Sequence, residues 1–223
     1  MKISAKQLIN LTLVAAAFVF TAAVYDRLPE RIPTHWNWKG TVDGWMPRTW
    51  GVLVMPLITT VIWGVFLVLP RISPKEFPIT PFLAAYEWLS VGLVVFMVYM
   101  NALVLLVGLG FPIPMTPAVL AGVGGLFILI GGMLGKTTRN CFVGIRTPWT
   151  FASDEVWERT HRLGGKVFMT AGAVTIAAGF LPSGIWVILG AIATTVLVPV
   201  AYSYFLYRNL GLKETAPGRN VRR

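Results

Sequence analysis

Charged residues are scarce in this chain. Asp, Glu, Lys and Arg make up 13% of its 223 residues, whereas about a quarter of a soluble protein is charged. Hydrophobic residues account for 56%, and the mean hydropathy is +0.70. This composition excludes a soluble globular domain and indicates an integral membrane protein. The apolar residues form unbroken runs instead of short alternating segments, which excludes a β-barrel and predicts membrane-spanning helices.

Cysteine and histidine are almost absent. Cys141 is the only cysteine, so an internal disulfide is excluded, and His35 and His161 are the only histidines. A protein zinc site usually needs three or four protein ligands, so we expect no metal site and no cofactor. No serine or cysteine lies in a recognisable nucleophile motif, and we expect no enzymatic activity.

The apolar runs themselves contain hardly any ionisable residues. Glu87 lies at the mouth of the third run and Asn101 lies within it. Ion-coupled carriers usually place an acid or a base inside the membrane, so the bare interior argues against a transporter or channel. We predict that Asn101 bonds a neighbouring helix. Glu87 is predicted to be an interfacial acid near Arg71 or Lys75, or alternatively to face a polar cavity.

Six apolar runs predict an all-α integral membrane protein with six transmembrane helices. Each run is close to the ~20 residues that cross a bilayer. The first is longer than the apolar part of a signal peptide, about 7–15 residues, so we expect an uncleaved span. The fifth is the shortest and needs Gly165–Lys166 or the Pro182–Ser183 turn to reach across. The runs are Leu8–Tyr25, Trp50–Leu69, Trp88–Gly110, Pro117–Gly135, Val167–Leu181 and Gly184–Tyr207.

The basic residues divide unequally between the two sides of the predicted membrane. Of the 19 Lys and Arg residues, only Arg27, Arg31, Lys39 and Arg48 fall on the side that lacks the termini. The positive-inside rule therefore places both termini in the cytoplasm. The net charge of +10 follows from this topology. Its natural partner is the anionic surface of the lipid bilayer, and we expect no direct nucleic-acid binding.

The outer loop, residues 26–49, reads DRLPERIPTHWNWKGTVDGWMPRT. Pro29 and Pro33 exclude a regular helix across its first half, and Lys39–Gly40 and Asp43–Gly44 are typical of turns. We predict a compact extracytoplasmic loop that either caps the bundle or docks a molecule arriving from outside. His35 alone is more typical of a hydrogen-bonded structural residue. The candidate partner-facing residues are His35, Trp36, Asn37, Asp43 and Trp45.

The inner loop, residues 136–166, is predicted to lie in the cytoplasm. Pro148 directs Thr147 toward extended geometry. Ser153 is a predicted helix N-cap, with Asp154 and Glu155 in the first turn. The pattern predicts a short interfacial helix over about 154–163 that ends at Gly164–Gly165.

Side chains four residues apart pair along this predicted helix. Trp157 and His161 share one face, and Glu155/Arg159 and Glu158/Arg162 are acid-to-base pairs. Arg146, Arg159 and Arg162 have two open interpretations: they bind a phosphate or carboxylate, or they hold the loop on anionic lipid. We further predict that Arg146 and Trp149 are buried against the span ends, and that residues 209–223 form a basic disordered tail.

Both loops resemble segments of a known family. The stretch NCFVGIRTPWTFASDEVWERTHRLGG, residues 140–165, closely resembles the signature of the SdpI family of bacteriocin immunity proteins. The stretch LPERIPTHWNWKGTVDGW, residues 28–45, resembles the short domain of unknown function that opens many members. Residues of the inner loop that match are Asn140, Val143, Gly144, Arg146, Thr147, Pro148, Trp149, Trp157, His161 and Arg162. Residues of the outer loop that match are Pro33, Thr34, His35, Trp36, Asn37, Gly40, Asp43, Gly44 and Trp45.

The resemblance implies a multi-pass protein of the cell membrane. Its best-known members protect a toxin-producing cell against its own secreted, membrane-active peptide. They also hold a cytosolic transcriptional repressor at the membrane, so the implied partners are a peptide toxin and a repressor. An alternative from a different class is a lipid- or isoprenoid-phosphate-handling protein, in which the basic inner loop binds the phosphate and His161, beside Asp154 or Glu158, acts as an acid or base.

Overall fold

A computed structural model describes residues 4–181 and 184–211. The predicted Pro182–Ser183 turn and residues 212–223 of the predicted tail lie outside these ranges. The two strands are β1 (Arg31–Trp36) and β2 (Val42–Pro47). The helices are α1 (Ala5–Val24), α2 (Arg48–Ile72), α3 (Leu83–Gly108), α4 (Met115–Leu134), α5 (Pro148–Ala152), α6 (Asp154–Ala178) and α7 (Gly184–Asn209).

Five helices in the described ranges are long and apolar enough to cross a membrane: α1, α2, α3, α4 and α7. The helix α6 is not among them, because its first half carries the charged sequence DEVWERTHR. The chain is therefore mostly helical, as an all-α membrane protein should be. The departure from that prediction is the antiparallel hairpin β1–β2 within the outer loop.

Polar side chains join α1 to α3 along their length. The Asn10 amide donates to the Ser90 hydroxyl at 2.9 Å, and the Asn101 amide donates to the Thr21 hydroxyl at 3.4 Å. Both pairs are 80 residues apart, so the two helices run parallel. The prediction that Asn101 bonds a neighbouring helix is confirmed.

Glu87 has a different partner from either predicted one. Its carboxylate lies 3.1 Å from the ammonium group of Lys6. The predicted pairing with Arg71 or Lys75 is therefore wrong. The parallel packing of α1 on α3 brings the N-terminal turn of α1 to Glu87, and this proximity is invisible in the sequence around Glu87.

Two glycine pairs place α4 and α6 in direct backbone contact. A Cβ atom at Gly131 would lie 2.5 Å from the Gly165 carbonyl oxygen, and one at Gly124 would lie 2.5 Å from the Gly172 carbonyl oxygen. The later glycine of α4 meets the earlier glycine of α6, so the two helices are antiparallel. Small residues at such a crossing allow helices to approach closely.

This crossing overturns the predicted end of the interfacial helix at Gly164–Gly165. The helix α6 continues through both glycines to Ala178. Gly165 meets α4 and Gly164 faces Pro199 of α7, so these glycines serve helix packing and not chain termination. The predicted short helix and the predicted fifth span as far as Ala178 are one continuous helix.

The hairpin is anchored on the ends of α1, α2 and α3. Ile32 of β1 is fully buried in a cluster with Leu28, Val52 and Leu105. The Arg48 guanidinium closes the base of the hairpin by donating to the carbonyl of Leu28 at 2.9 Å and to that of Tyr25 at 3.2 Å. The outer loop is thus a packed part of the bundle.

Candidate functional site

Asn140 organises the first half of the inner loop. Its side chain is completely buried. The side-chain oxygen Oδ1 of Asn140 accepts from the backbone N–H groups of Phe142 and Val143 at 2.9 and 2.7 Å. Its amide donates to the backbone carbonyls of Thr138 and Val143 at 2.8 and 2.9 Å. All four hydrogen-bonding positions of the amide group are therefore used to shape the backbone.

Thr147 and Thr150 cap the short helix α5 reciprocally. The Thr147 hydroxyl accepts from the Thr150 N–H at 3.2 Å, and the Thr150 hydroxyl accepts from the Thr147 N–H at 2.9 Å. Thr147 is extended, as predicted, and Pro148 begins the helix. The Thr147 hydroxyl also lies 3.2 Å from the Ser203 hydroxyl, which links the loop to α7. Thr150, which sequence analysis missed, completes this cap.

His161 fastens the loop to α6. Its Nε2 accepts from the Ile145 N–H at 2.8 Å, and its Nδ1 lies 2.8 Å from the Trp157 carbonyl oxygen. These bonds fix the neutral tautomer with the proton on Nδ1. Burial lowers the pKa of His161 to about 4, against the opposing effect of the Trp157 carbonyl. The imidazole therefore stays uncharged at neutral pH.

Gly144 and Trp157 complete the surroundings of this imidazole. The Trp157 ring stacks on His161 with centroids 4.1 Å apart, and its indole N–H donates to the Thr137 carbonyl at 3.0 Å. Gly144 has a φ of +123°, and a Cβ there would lie 2.3 Å from His161 Nε2. Glycine is therefore required at 144 both for its backbone conformation and for the approach of the imidazole.

The arginines of the inner loop are arranged differently from one another. Arg159 and Arg162 pair with Glu155 and Glu158 at 2.7 and 2.5 Å, as predicted. Arg146 is exposed and donates to the Cys141 carbonyl, so the prediction that it is buried is wrong.

Trp149 is partly buried, with its ring centroid 5.0 Å from that of Tyr204 of α7. Arg139 was missed by sequence analysis. It donates to both carboxylate oxygens of Asp154 at 2.5 and 3.3 Å and to the Phe151 carbonyl at 2.8 Å. No spacing rule relates Arg139 to residues so distant along the chain.

The outer hairpin ends in a turn built on Asn37. Its side-chain oxygen accepts from the N–H groups of Lys39 and Thr41 at 2.9 and 3.1 Å. Gly40 has a φ of +78°, and a Cβ there would lie 2.7 Å from the Thr116 hydroxyl oxygen. The tip of the hairpin thus rests on the first turn of α4.

His35 and Asp43 face each other across the hairpin. His35 Nδ1 lies 2.5 Å from an Asp43 carboxylate oxygen, and both side chains are exposed. The strand register shifts on either side of His35. A Cβ at Gly44 would lie 2.7 Å from the His35 Cβ, so a glycine opposite His35 accommodates this irregularity. Trp45 is exposed on β2.

An open cleft of about 630 Å³ lies beneath the hairpin tip. Trp36 and Trp38 form one side, and the beginning of α4 and the ends of α6 and α7 that meet there form the other. Its far wall is apolar, including Leu120 and Ile185, and Lys39 stands at the hairpin side. Of the predicted outer residues, Trp36 and Asn37 line this cleft. His35, Asp43 and Trp45 do not.

The inner loop and the outer cleft differ in what they present to a ligand. No group of three or more His, Cys, Asp or Glu side chains able to hold a metal ion occurs in the described ranges. Both ring nitrogens of His161 are occupied by the protein's own backbone. The cleft offers an apolar surface, indole rings and a cation to a ligand that reaches the hairpin end of the bundle.

Comparisons with known proteins agree with the two loop motifs. Residues 136–203 match the model of the SdpI/YfhL protein family. Residues 12–60 match the domain of unknown function DUF1648. The chain is also 27% identical over 210 residues to Immunity protein SdpI of Bacillus subtilis (strain 168), covering 92% of this chain and 97% of that protein. No solved structure matches it.

The SdpI resemblance predicted from the loops is therefore confirmed. The protein is a multi-pass protein of the cell membrane, and its similarity to an SdpI immunity protein supports an immunity function.

Proposed function

We propose that this SdpI-like protein protects its cell by capturing a secreted, membrane-active peptide in the outer cleft. The observation that carries this proposal is the cleft itself, about 630 Å³, assembled from the tip of the outer hairpin and the ends of three helices. Membrane-active peptides combine apolar and charged faces. The cleft offers an apolar helical wall opposite two indole rings and Lys39, which suits such a peptide.

The proposed topology has six spans with both termini in the cytoplasm, and α6 is the additional span. Its packing supports this assignment, because α6 runs antiparallel to α4 and in contact with it from Gly165 onward. The contact continues to Gly179, the residue after the end of α6, which meets Pro117 near the start of α4. A helix that accompanies a membrane-spanning partner over that length crosses the same layer. The hairpin tip and the inner loop then lie at opposite ends of the α4–α6 pair.

This pair also offers a route for signalling. The helix α4 begins beside the cleft at Met115 and leads into the inner loop, while α6 begins at the inner loop and ends beside the cleft at Ala178. We propose that peptide capture favours a second arrangement of α4 on α6, which alters the surface of the inner loop. A cytosolic repressor that binds one arrangement would then report the presence of the peptide.

The inner loop is proposed to bind and not to catalyse. An acid/base role for His161 requires a ring nitrogen that is free to exchange a proton with a substrate. Both nitrogens are engaged by the Ile145 N–H and the Trp157 carbonyl. This arrangement favours immunity over the alternative of an enzyme that processes lipid or isoprenoid phosphates.

Two exposed tryptophans provide a matched test. Trp38 lines the cleft, Trp50 does not, and each is 63% exposed. The chain and its variants would be expressed at equal membrane levels in a sensitive cell challenged with secreted membrane-active peptides of this class. We expect Trp38→Ala to weaken protection and Trp50→Ala to leave it unchanged. Equal effects of the two substitutions, or no protection by the original chain, would overturn the proposal.

A further inference from the structure

A second groove, of about 420 Å³, lies between α6 and α7 and is separate from the outer cleft. Its floor contains Ala171 of α6 and Ala191 of α7, both buried. Its sides are the exposed residues Val174 and Thr194. Alanines at the floor leave a trough between the helices, because no long side chain fills it.

The groove is apolar along most of its length. The Thr194 hydroxyl donates to the Gly190 carbonyl of its own helix at 2.7 Å, so its hydrogen-bonding need is met within α7. Apart from Thr170 and the terminal Lys166, the other lining residues are aliphatic: Val167, Ala171, Val174 and Ala191. In the proposed topology, α6 and α7 both cross the membrane, so this trough opens toward lipid chains.

One end of the groove carries a cation. Lys166 lines it, is exposed, and has no ion pair within residues 4–181 and 184–211. Arg162 lies one helical turn before Lys166 on the same face, but its charge is shared with Glu158 at 2.5 Å. Lys166 is therefore the cation at the groove that is left to pair with a ligand.

We propose that this groove binds one anionic phospholipid, with an acyl chain over Ala171 and Ala191 and the phosphate at Lys166. A Lys side chain at the end of a span extends its charged group to the headgroup level. Basic pockets between membrane helices on the cytoplasmic side select anionic headgroups. The proposal rests on α6 as a span but does not require that the outer cleft binds a peptide.

Native mass spectrometry of the purified full chain tests this site. Phosphatidylglycerol and phosphatidylcholine with identical acyl chains would be titrated, and the bound lipids counted. We expect phosphatidylglycerol to bind more tightly. A cation near the membrane surface contributes ~1 kcal/mol to an anionic lipid, so Lys166→Gln should weaken phosphatidylglycerol binding about fivefold. Phosphatidylcholine binding should be weakened less, because the choline cation offsets the charge of its phosphate. Lys75→Gln, at an exposed lysine away from the groove, is the matched control.

A second variant tests the acyl-chain part of the site. Thr194→Trp fills the groove while keeping Lys166, and it should reduce the binding of both lipids. Equal losses for Lys166→Gln and Lys75→Gln would show diffuse charge attraction and overturn the proposal. Unchanged binding in Thr194→Trp, or equal competition by soluble glycerol phosphate, would also overturn it. Because the readout is lipid binding, its failure is distinguishable from a failure to protect against a peptide.

Discussion

The backbone N–H of Ile145 donates to His161 Nε2 at 2.8 Å. This bond joins the segment that follows α4 to the buried face of α6, and it requires an unprotonated nitrogen. The sequence suggested a histidine that could exchange protons. The structure instead places it as a neutral crosslink, stacked on Trp157 and completely buried.

This neutral crosslink predicts that the protein loses stability in acid. The pKa of His161 is about 4 in the folded protein, below the ordinary value of 6.5, so the unfolded chain binds the proton more tightly. The contribution of His161 to the free energy of unfolding is fully present above pH 6.5. It decreases by ~3 kcal/mol as the pH falls from 6.5 to about 4. Thermal unfolding in detergent between these pH values measures it. In His161→Asn this part of the pH dependence should disappear, and an unchanged pH profile would contradict the assignment.

Gly144→Ala should destabilise the inner loop by about 2 kcal/mol. The new alanine would have to adopt a φ of +123°, and its methyl group would lie 2.3 Å from His161 Nε2. Gly135→Ala is the control, since its φ is −67° and the nearest atom to a Cβ there is 4.0 Å away. Thermal midpoints of the two variants give the comparison. Similar midpoints would show that the contact with His161 is unimportant.

The parts of the structure that could be predicted are those set by local rules. Ser153 caps α6 with Asp154 and Glu155 in the first turn, and both acid-to-base pairs form, because capping and four-residue spacing act within one turn of helix. Composition alone predicted a mostly helical membrane protein. The predicted partners of Glu87 were wrong, because its partner Lys6 is 81 residues away in the sequence. The predicted burial of Arg146 was also wrong, because the folded backbone of the loop decides which side chains reach the span ends.

The glycines explain why α6 was divided in the sequence analysis. Gly164–Gly165 follows a charged, amphipathic stretch, and a Gly pair in that position normally marks a helix end. Its role here depends on Gly131, which belongs to another helix and has no local signature. The conformation of the inner loop could not be predicted for a related reason. Asn140 and Thr150 shape it by bonding backbone groups, which are the same in any sequence.

The α4–α6 crossing predicts that neighbouring glycines respond differently to the same substitution. Gly131→Ala places a Cβ 2.5 Å from the Gly165 carbonyl oxygen, whereas a Cβ at Gly132 meets nothing within 4 Å. Overpacking of this kind costs about 1–3 kcal/mol. We expect a lower thermal midpoint for Gly131→Ala, and a midpoint equal to or above that of the original chain for Gly132→Ala. Equal lowering in both would contradict the close approach of the two helices.

The hairpin tip predicts a similar contrast that bears on protection. Gly40 and Gly110 both have positive φ values, +78° and +91°, so alanine is strained at either position. Only at Gly40 would the added Cβ also meet a neighbour, the Thr116 hydroxyl oxygen at 2.7 Å, whereas none lies within 4 Å at Gly110. Gly40→Ala should therefore displace the hairpin from α4 and widen the cleft, weakening protection more than Gly110→Ala at equal membrane levels. If both variants protect equally well, the seating of the hairpin on α4 is not needed for peptide capture, and the indole rings must act without a fixed cleft.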